Sequence, residues 1–241
     1  MGCRHMAHES VAYVCTEREH EECARMEYAH DERACIEHER VERECVEHGR
    51  MECEKAQLRA QLRARLSCLD AGEAAQSSAA IVQNLLQSGI WNSAQTVFCY
   101  VGDVRRGEVD TLPLLRAALA EGKTLAVPLC TAPGVMEARI LHAAEDLRPG
   151  RFGLLEPPAA SALLLPEKIA LCVVPCLSAA PDGTRLGYGG GYYDRFLPQA
   201  ENAVYAALCR AALLSPALPC EAHDVRMHCA VTERGIRSHD L

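Results

Sequence analysis

Arg185-Leu-Gly-Tyr-Gly-Gly-Gly-Tyr-Tyr-Asp-Arg195 packs four glycines, Gly187, Gly189, Gly190 and Gly191, into five positions. Glycine accepts positive φ and lets a ligand approach the backbone closely. Successive N–H groups in such a run make a concavity for anions, next to the positive end of a following helix. Arg185 stands just ahead and adds a cation for phosphate. Asp194, after the aromatic pair Tyr192-Tyr193, offers a hard oxygen ligand for magnesium. The run is not a Walker loop, because no Gly-Lys-Ser/Thr follows. Nor is it a Rossmann fingerprint, because Tyr192 stands where the last glycine is required. The plain alternative is a glycine loop that merely joins two elements.

The elements around the run give it a place. Residues 169–174 form an apolar strand ended by Pro175, and a helix is expected over residues 191–197. Ligands of open α/β sheets bind at this carboxyl edge. Upstream, leucines at 58, 62, 66 and 69 mark a helix that carries Lys55, Arg59, Arg63 and Arg65. A second amphipathic helix is expected over residues 74–88, ending near Gly89, and a third over residues 112–119. Strands are expected at 96–100, at 124–127 ended by Pro128, at 136–141, at 204–208 and near 229–232. Strands alternating with helices, several of them continuously apolar, predict an α/β fold. Its sheet is mostly parallel, with helices on both faces.

Charge divides the chain. Residues 1–54 hold 15 of the 33 acidic residues and 7 of the 25 basic ones, so the remainder balances at 18 and 18. The acidity belongs to the leader and argues against nucleic acid as a partner. Residues 1–54 read as a polar extension, helical or disordered, and residues 55–241 as the α/β domain. The leader repeats Cys35-x-x-His38 as Cys45-x-x-His48, but Glu and Arg spacers without Gly or Pro favour a biased tail over a zinc site. There is neither a signal-peptide core nor an apolar run long enough for a membrane span. The 14 cysteines therefore read as reduced thiols of a cytoplasmic protein, with Cys99, Cys130 and Cys172 at strand positions.

As a whole string, residues 185–195 resemble the signature of the 5-formyltetrahydrofolate cyclo-ligase (methenyltetrahydrofolate synthetase) family. Other features resemble that family in order. They are Lys55-x-x-Leu58-Arg59, Glu108-Val-Asp-Thr111, Phe152-Gly153-Leu-Leu-Glu156-Pro157 and His223-Asp224, and the resemblance covers residues 55–236. There are departures. Ala179 and Ala180 stand where the family usually shows Phe-Asp. His228 stands where many members carry Asp, and no Gln follows the penultimate strand in residues 209–215.

The resemblance implies an ATP- and magnesium-dependent ligase that converts 5-formyltetrahydrofolate to 5,10-methenyltetrahydrofolate, as a monomer. It implies that Lys55, Arg59, Arg185, Gly187, Tyr188, Gly189, Gly190, Gly191 and Tyr193 hold ATP. Glu108, Met136 and Tyr192 would meet the folate, and Asp194 and Asp224 the magnesium. Arg185, Tyr192 and Tyr193 would stand at the reacting groups. Such chemistry needs positioning and charge rather than a nucleophile. That agrees with the lack of a Ser-His-Asp or Cys-His constellation after residue 54. Two rival classes remain at this stage: a phosphate-binding isomerase or transferase that needs no ATP, and a metal-sensing protein working through its leader.

Overall fold

The computed structural model of the protein describes residues 49–150 and 153–239. The Cys/His echo of the leader and Phe152 lie outside the described residues. The chain divides into two compact units, Met1–Arg50 and Met51–Leu241, and the second is described here.

Helix α1 occupies residues 51–67 of this unit. Its leucine stripe is real: Leu62 and Leu66 are buried with Leu177, Leu186 and Leu213, while Leu58 and Leu69 pack at the margin. Helix α2 (Ala71–Leu86) starts three residues before the expected 74, because Asp70 caps it. The Asp70 carboxylate accepts from the amides of Gly72 and Glu73, satisfying two of the first-turn donors. Gly89 does not end a helix but opens a short one, α3 (Gly89–Ser93), with the Ser88 hydroxyl capping the Trp91 amide.

Next come β1 (Thr96–Cys99), α4 (Leu112–Ala120), β2 (Thr124–Ala132), β3 (Val135–Ile140), β4 (Arg148–Pro149), β5 (Leu155–Glu156) and β6 (Leu171–Pro175). The last part holds β7 (Ser178–Ala179), β8 (Arg185–Leu186), α5 (Tyr192–Phe196), β9 (Val204–Leu208), β10 (Cys229–Thr232) and β11 (Gly235–Ser238). Seven strands form one sheet in the order β11-β10-β9-β6-β1-β2-β3. The five central strands run parallel, and β3 and β11 close the two edges antiparallel.

Both sheet faces are covered, as the apolar strands require. Leu171 and Val173 of β6 face a core shared with α2, α3 and α4. Cys172 and Val174 face the other, with Phe98, Phe196, Leu197 and Met227. The Phe98 and Phe196 rings lie 4.7 Å apart and tilted, so the centre of the sheet directly supports α5 and its aromatic pair. Phe98→Ala is expected to lower stability by about 3–5 kcal/mol, read from denaturant melts. An unchanged melt would show that this face carries little of the core.

Pro128 does not end β2, which runs on to Ala132. Ala138, opposite Pro128, turns its carbonyl away from β2 to the Leu164 amide. Pro128 and Ala138 are thus a non-hydrogen-bonded pair, and the missing proline donor points toward the β1 side. Strand β1 pairs with β2 only as far as Ala126, so nothing there needs the proton. Five strands had no expected counterpart: β4, β5, β7 and β8 are two residues each, inside what reads as loop, and β11 is a four-residue edge strand after β10.

Candidate active site

The carboxyl end of β6 leads into the β7–β8 hairpin, the glycine run and α5, and these enclose a cleft of about 1250 Å³. The residues singled out by sequence meet there. Lys55, Arg59, Glu108, Met136, Arg185, the run Gly187–Gly191, Tyr192, Tyr193, Asp194 and Asp224 all line it.

Strand β8 fixes Arg185. Its side chain is 5% exposed, Nη2 donates to Asp194 Oδ1 at 2.8 Å, and the guanidinium lies 5.8 Å from the Tyr193 ring centre. Its Nε is buried and makes no hydrogen bond. The glycines have steric reasons. A Cβ on Gly187 would stand 2.7 Å from Arg185 Nη1, and Gly191 takes φ +62° as it turns the chain into α5. Helix α5 has only five residues and no side-chain cap, so its contribution is a few free amides rather than a large dipole.

Helix α1 forms the facing wall. Arg59 Nε donates to the Gly187 carbonyl at 3.2 Å and Arg63 Nη2 to the Tyr188 carbonyl at 3.0 Å, so two turns of α1 hold the glycine run in place. Lys55 is 3% exposed. Its Nζ bridges Glu221 and Asp224, at 2.6 Å from each. Asp224 Oδ2 also accepts the Glu221 amide at 2.8 Å. Asp194 Oδ1 takes the Val225 amide at 3.2 Å, which ties the 221–225 turn to α5.

The loop after β1 supplies Glu108. Its Oε2 accepts the Asp103 amide at 2.8 Å. Burial pushes the Glu108 carboxyl above the usual range, against the Asp103 amide and the Tyr188 phenol, which favour its ionised form. Burial also holds the Tyr188 and Tyr193 phenols well above their usual values, so both stay protonated near neutral pH. Met136 and Cys130, paired across β2 and β3, wall the cleft opposite. Asp110 stands one residue before the N-cap Thr111, accepts the Leu112 amide at 3.0 Å and lies outside the cleft.

The family model for the 5-formyltetrahydrofolate cyclo-ligase family matches residues 51–233. The chain belongs to this family. Among similar proteins, the 5-formyltetrahydrofolate cyclo-ligase of Mycolicibacterium smegmatis is 35% identical over 164 residues, covering 62% of this chain and 79% of that one. The probable 5-formyltetrahydrofolate cyclo-ligase of Schizosaccharomyces pombe is 28% identical over 152 residues, covering 62% and 74%. The solved structure of Aquifex aeolicus 5,10-methenyltetrahydrofolate synthetase superposes with a TM-score of 0.69 at 27% identity, over 76% of this chain and 92% of that one.

Several lining residues of this cyclo-ligase cleft were not singled out from sequence: Arg63, Tyr100, Arg105, Arg106, Cys130 and Leu155. Arg63 had a readable signal, since it lies one helical turn after Arg59. Tyr100 had another, at the carboxyl end of a parallel strand. Glu221 had none, because its bond to Lys55 spans 166 residues. The departures from the family pattern fall outside the cleft. Ala179 pairs with Arg185 in the hairpin, and Ala180 is buried behind it. His228 Nδ1 accepts the Tyr205 amide at 2.9 Å, and burial lowers its imidazole pKa, so it stays neutral as that bond requires.

Proposed function

We propose that this chain converts 5-formyltetrahydrofolate and ATP to 5,10-methenyltetrahydrofolate, ADP and phosphate. The observation that carries the reading is that Arg185 and the glycine run line one cleft with Glu108 and Met136. One end of the cleft offers donors for phosphate, and the other an acceptor and an apolar wall. A formamide oxygen is a poor leaving group. Transfer of the γ-phosphoryl to that oxygen breaks the bond to ADP and turns the oxygen into a phosphate leaving group. The folate's second nitrogen then bonds to the formyl carbon, the carbon–oxygen bond breaks, and the proton of that nitrogen departs with the phosphate.

Arg185 and the amides of Gly187 to Gly191 hold the phosphates through this sequence. Arg59 serves mainly by fixing the loop, and Lys55 by holding Asp224. Tyr193 and Tyr192 line the reacting centre, the former as a protonated donor. Met136 packs on the pterin, and Glu108 accepts its N–H groups.

Magnesium fits the residues present. Asp194 directs both of its hydrogen bonds to Oδ1, which leaves Oδ2 for another ligand, and Asp224 lines the same cleft. Among the described residues no set of three or more acidic, Cys or His side chains forms a ready metal cage. That agrees with an ion that uses one or two carboxylates and completes its shell with phosphate oxygens and water. When bound, magnesium neutralises phosphate charge.

Residues 55–241 are proposed as the catalytic part and residues 1–54 as an appended extension, in a cytoplasmic monomer. No described helix is long and apolar enough to cross a membrane.

The test is absorbance at the methenyl-folate band with 5-formyltetrahydrofolate, ATP and magnesium, each omitted in turn. Growth that requires all three supports the reading. Folded protein that binds ATP and gives no signal overturns the folate assignment.

A pH prediction follows from Glu108. The folate KM is expected to rise as pH falls through the raised pKa of this carboxyl, at a pH above the ordinary glutamate range. The sign for stability is opposite. A raised folded-state pKa gives stability that is full below the unfolded value and lost as pH rises through the folded one. Binding and stability should therefore trend in opposite directions across one window. Glu108→Gln should flatten the KM limb, and an unchanged pH profile in that variant would remove Glu108 from the folate site.

A further inference from the structure

Arg210 lies behind the cleft rather than in it. It follows β9 and is 4% exposed. Its backbone is pinned by neighbours: the Cys209 amide donates to Val231, and the Ala211 amide to Glu233 Oε2 at 2.8 Å. From there the guanidinium reaches two separate parts of the chain. Nη1 donates to the Ala74 carbonyl on α2 at 3.0 Å, and Nη2 to Ser78 Oγ at 3.2 Å. Nε and Nη2 donate to the Gly107 carbonyl at 3.4 and 3.2 Å, and Nη2 to the Glu108 carbonyl at 3.4 Å.

The acceptors are informative. They are backbone carbonyls and a hydroxyl, with no carboxylate among them. A buried cation without a bonded anion is an expensive way to satisfy neutral acceptors. What arginine provides here, and no neutral side chain does, is a rigid planar fork that spans two elements at once. The spanned object is the loop that carries Glu108. Its other supports are local bonds, from the Gly107 and Glu108 amides to the Val104 and Asp103 carbonyls and from the Asp103 amide to Glu108 Oε2, and a front anchor, Thr111 Oγ1, which accepts the Gly102 amide at 2.9 Å and donates to the Tyr100 carbonyl at 2.7 Å. Ser78 Oγ also takes the Asp110 amide at 3.3 Å, so Arg210 and Asp110 share one acceptor on α2. Gly107, with φ +79°, turns the chain just before Glu108 and leaves its own carbonyl facing Arg210.

We infer that Arg210 is a positioning residue of the reaction: by clamping the Gly107 and Glu108 carbonyls onto α2, it sets where the Glu108 carboxylate stands in the cleft. This rests on the folate role proposed for Glu108. The clamp acts on one half of the cleft. The glycine run on the phosphate side is held by Arg59 and Arg63 and receives no bond from Arg210.

The test is steady-state kinetics on the full chain with Arg210→Gln, Glu108→Gln and the double variant. Arg210→Gln is expected to raise the folate KM about tenfold while the ATP KM stays within about twofold. In the Glu108→Gln background, the same change should alter the folate KM by less than about twofold, since the residue it positions is gone. Equal rises in both KM values, or effects that multiply in the double variant, would overturn the inference and leave Arg210 a general structural residue. If Glu108→Gln itself leaves the folate KM unchanged, the folate role of Glu108 fails, and the inference falls with it for that separate reason. Should Arg210→Gln not fold, Arg210→Lys carries the same comparison. Its ammonium keeps the charge but cannot span α2 and the loop, so it should show the same selective rise, and wild-type KM values would overturn the clamp.

Discussion

Arg185→Met is expected to lower kcat by about 10³-fold, roughly 4 kcal/mol of transition-state stabilisation, with the fold retained. The size follows from where the guanidinium sits. It is nearly out of solvent, held by Asp194 and stacked near Tyr193, and it lines the cleft with the glycine run. A donor fixed in advance in a dry site needs no reorganisation when charge develops on the transferring phosphoryl group. Arg185→Lys should be almost as damaging, because one ammonium cannot hold Asp194 and also present a second donor in the plane of the fork. Single-turnover rates with saturating ATP and folate would measure this, with circular dichroism to confirm folding. A lysine variant of near-normal kcat would show that Arg185 serves only as a counterion to Asp194.

Lys55→Met should cost as much stability as a large core deletion, about 3–5 kcal/mol, or roughly 10 °C in Tm. The methionine fills a similar volume but removes the cation that Glu221 and Asp224 share, beside side chains only 10% and 16% exposed. The same bonds set how Lys55 titrates. Burial works to lower the Lys55 pKa, but the bonds to Asp224 and Glu221 outweigh it and hold the pKa above the usual lysine value. That stability is complete below the unfolded lysine pKa and lost as pH rises through the folded one, in the strongly alkaline range. Thermal melts from neutral to alkaline pH would check the sign. A variant as stable as the parent at neutral pH would show that the cluster adds nothing to the fold.

The fate of Lys55 shows where sequence reasoning reaches its limit. Local pattern sufficed for the leucine stripe of α1, for β9 at the expected residues 204–208 and for α4, because burial periodicity is written in consecutive residues. The residues of the cleft were legible through one dense string and a few short matches. What Lys55 touches was not: its partners lie 166 and 169 positions away, Glu221 carries no pattern of its own, and nothing in the His223-Asp224 match points to Lys55. The same holds for Arg210, which sits in an unremarkable stretch and works through carbonyls 102 and 103 positions away. Pro128 misled for a different reason. A proline ends a strand only where its missing proton is needed, and that depends on how far the neighbouring strand extends.

The run of β2 past Pro128 has a mechanical consequence. Beyond Ala126 the strand has lost β1, and its support comes from other quarters: β3 pairs with it, the Cys130 amide donates to Glu156 Oε1 at 3.2 Å, and β3 is bonded in turn to the Ala162 carbonyl and the Leu164 amide. The wall opposite the glycine run, with Cys130 and Met136 on it, is therefore braced by segments outside the parallel sheet. A change in the turn that carries Glu156 would shift that wall while the parallel strands behind it stay still.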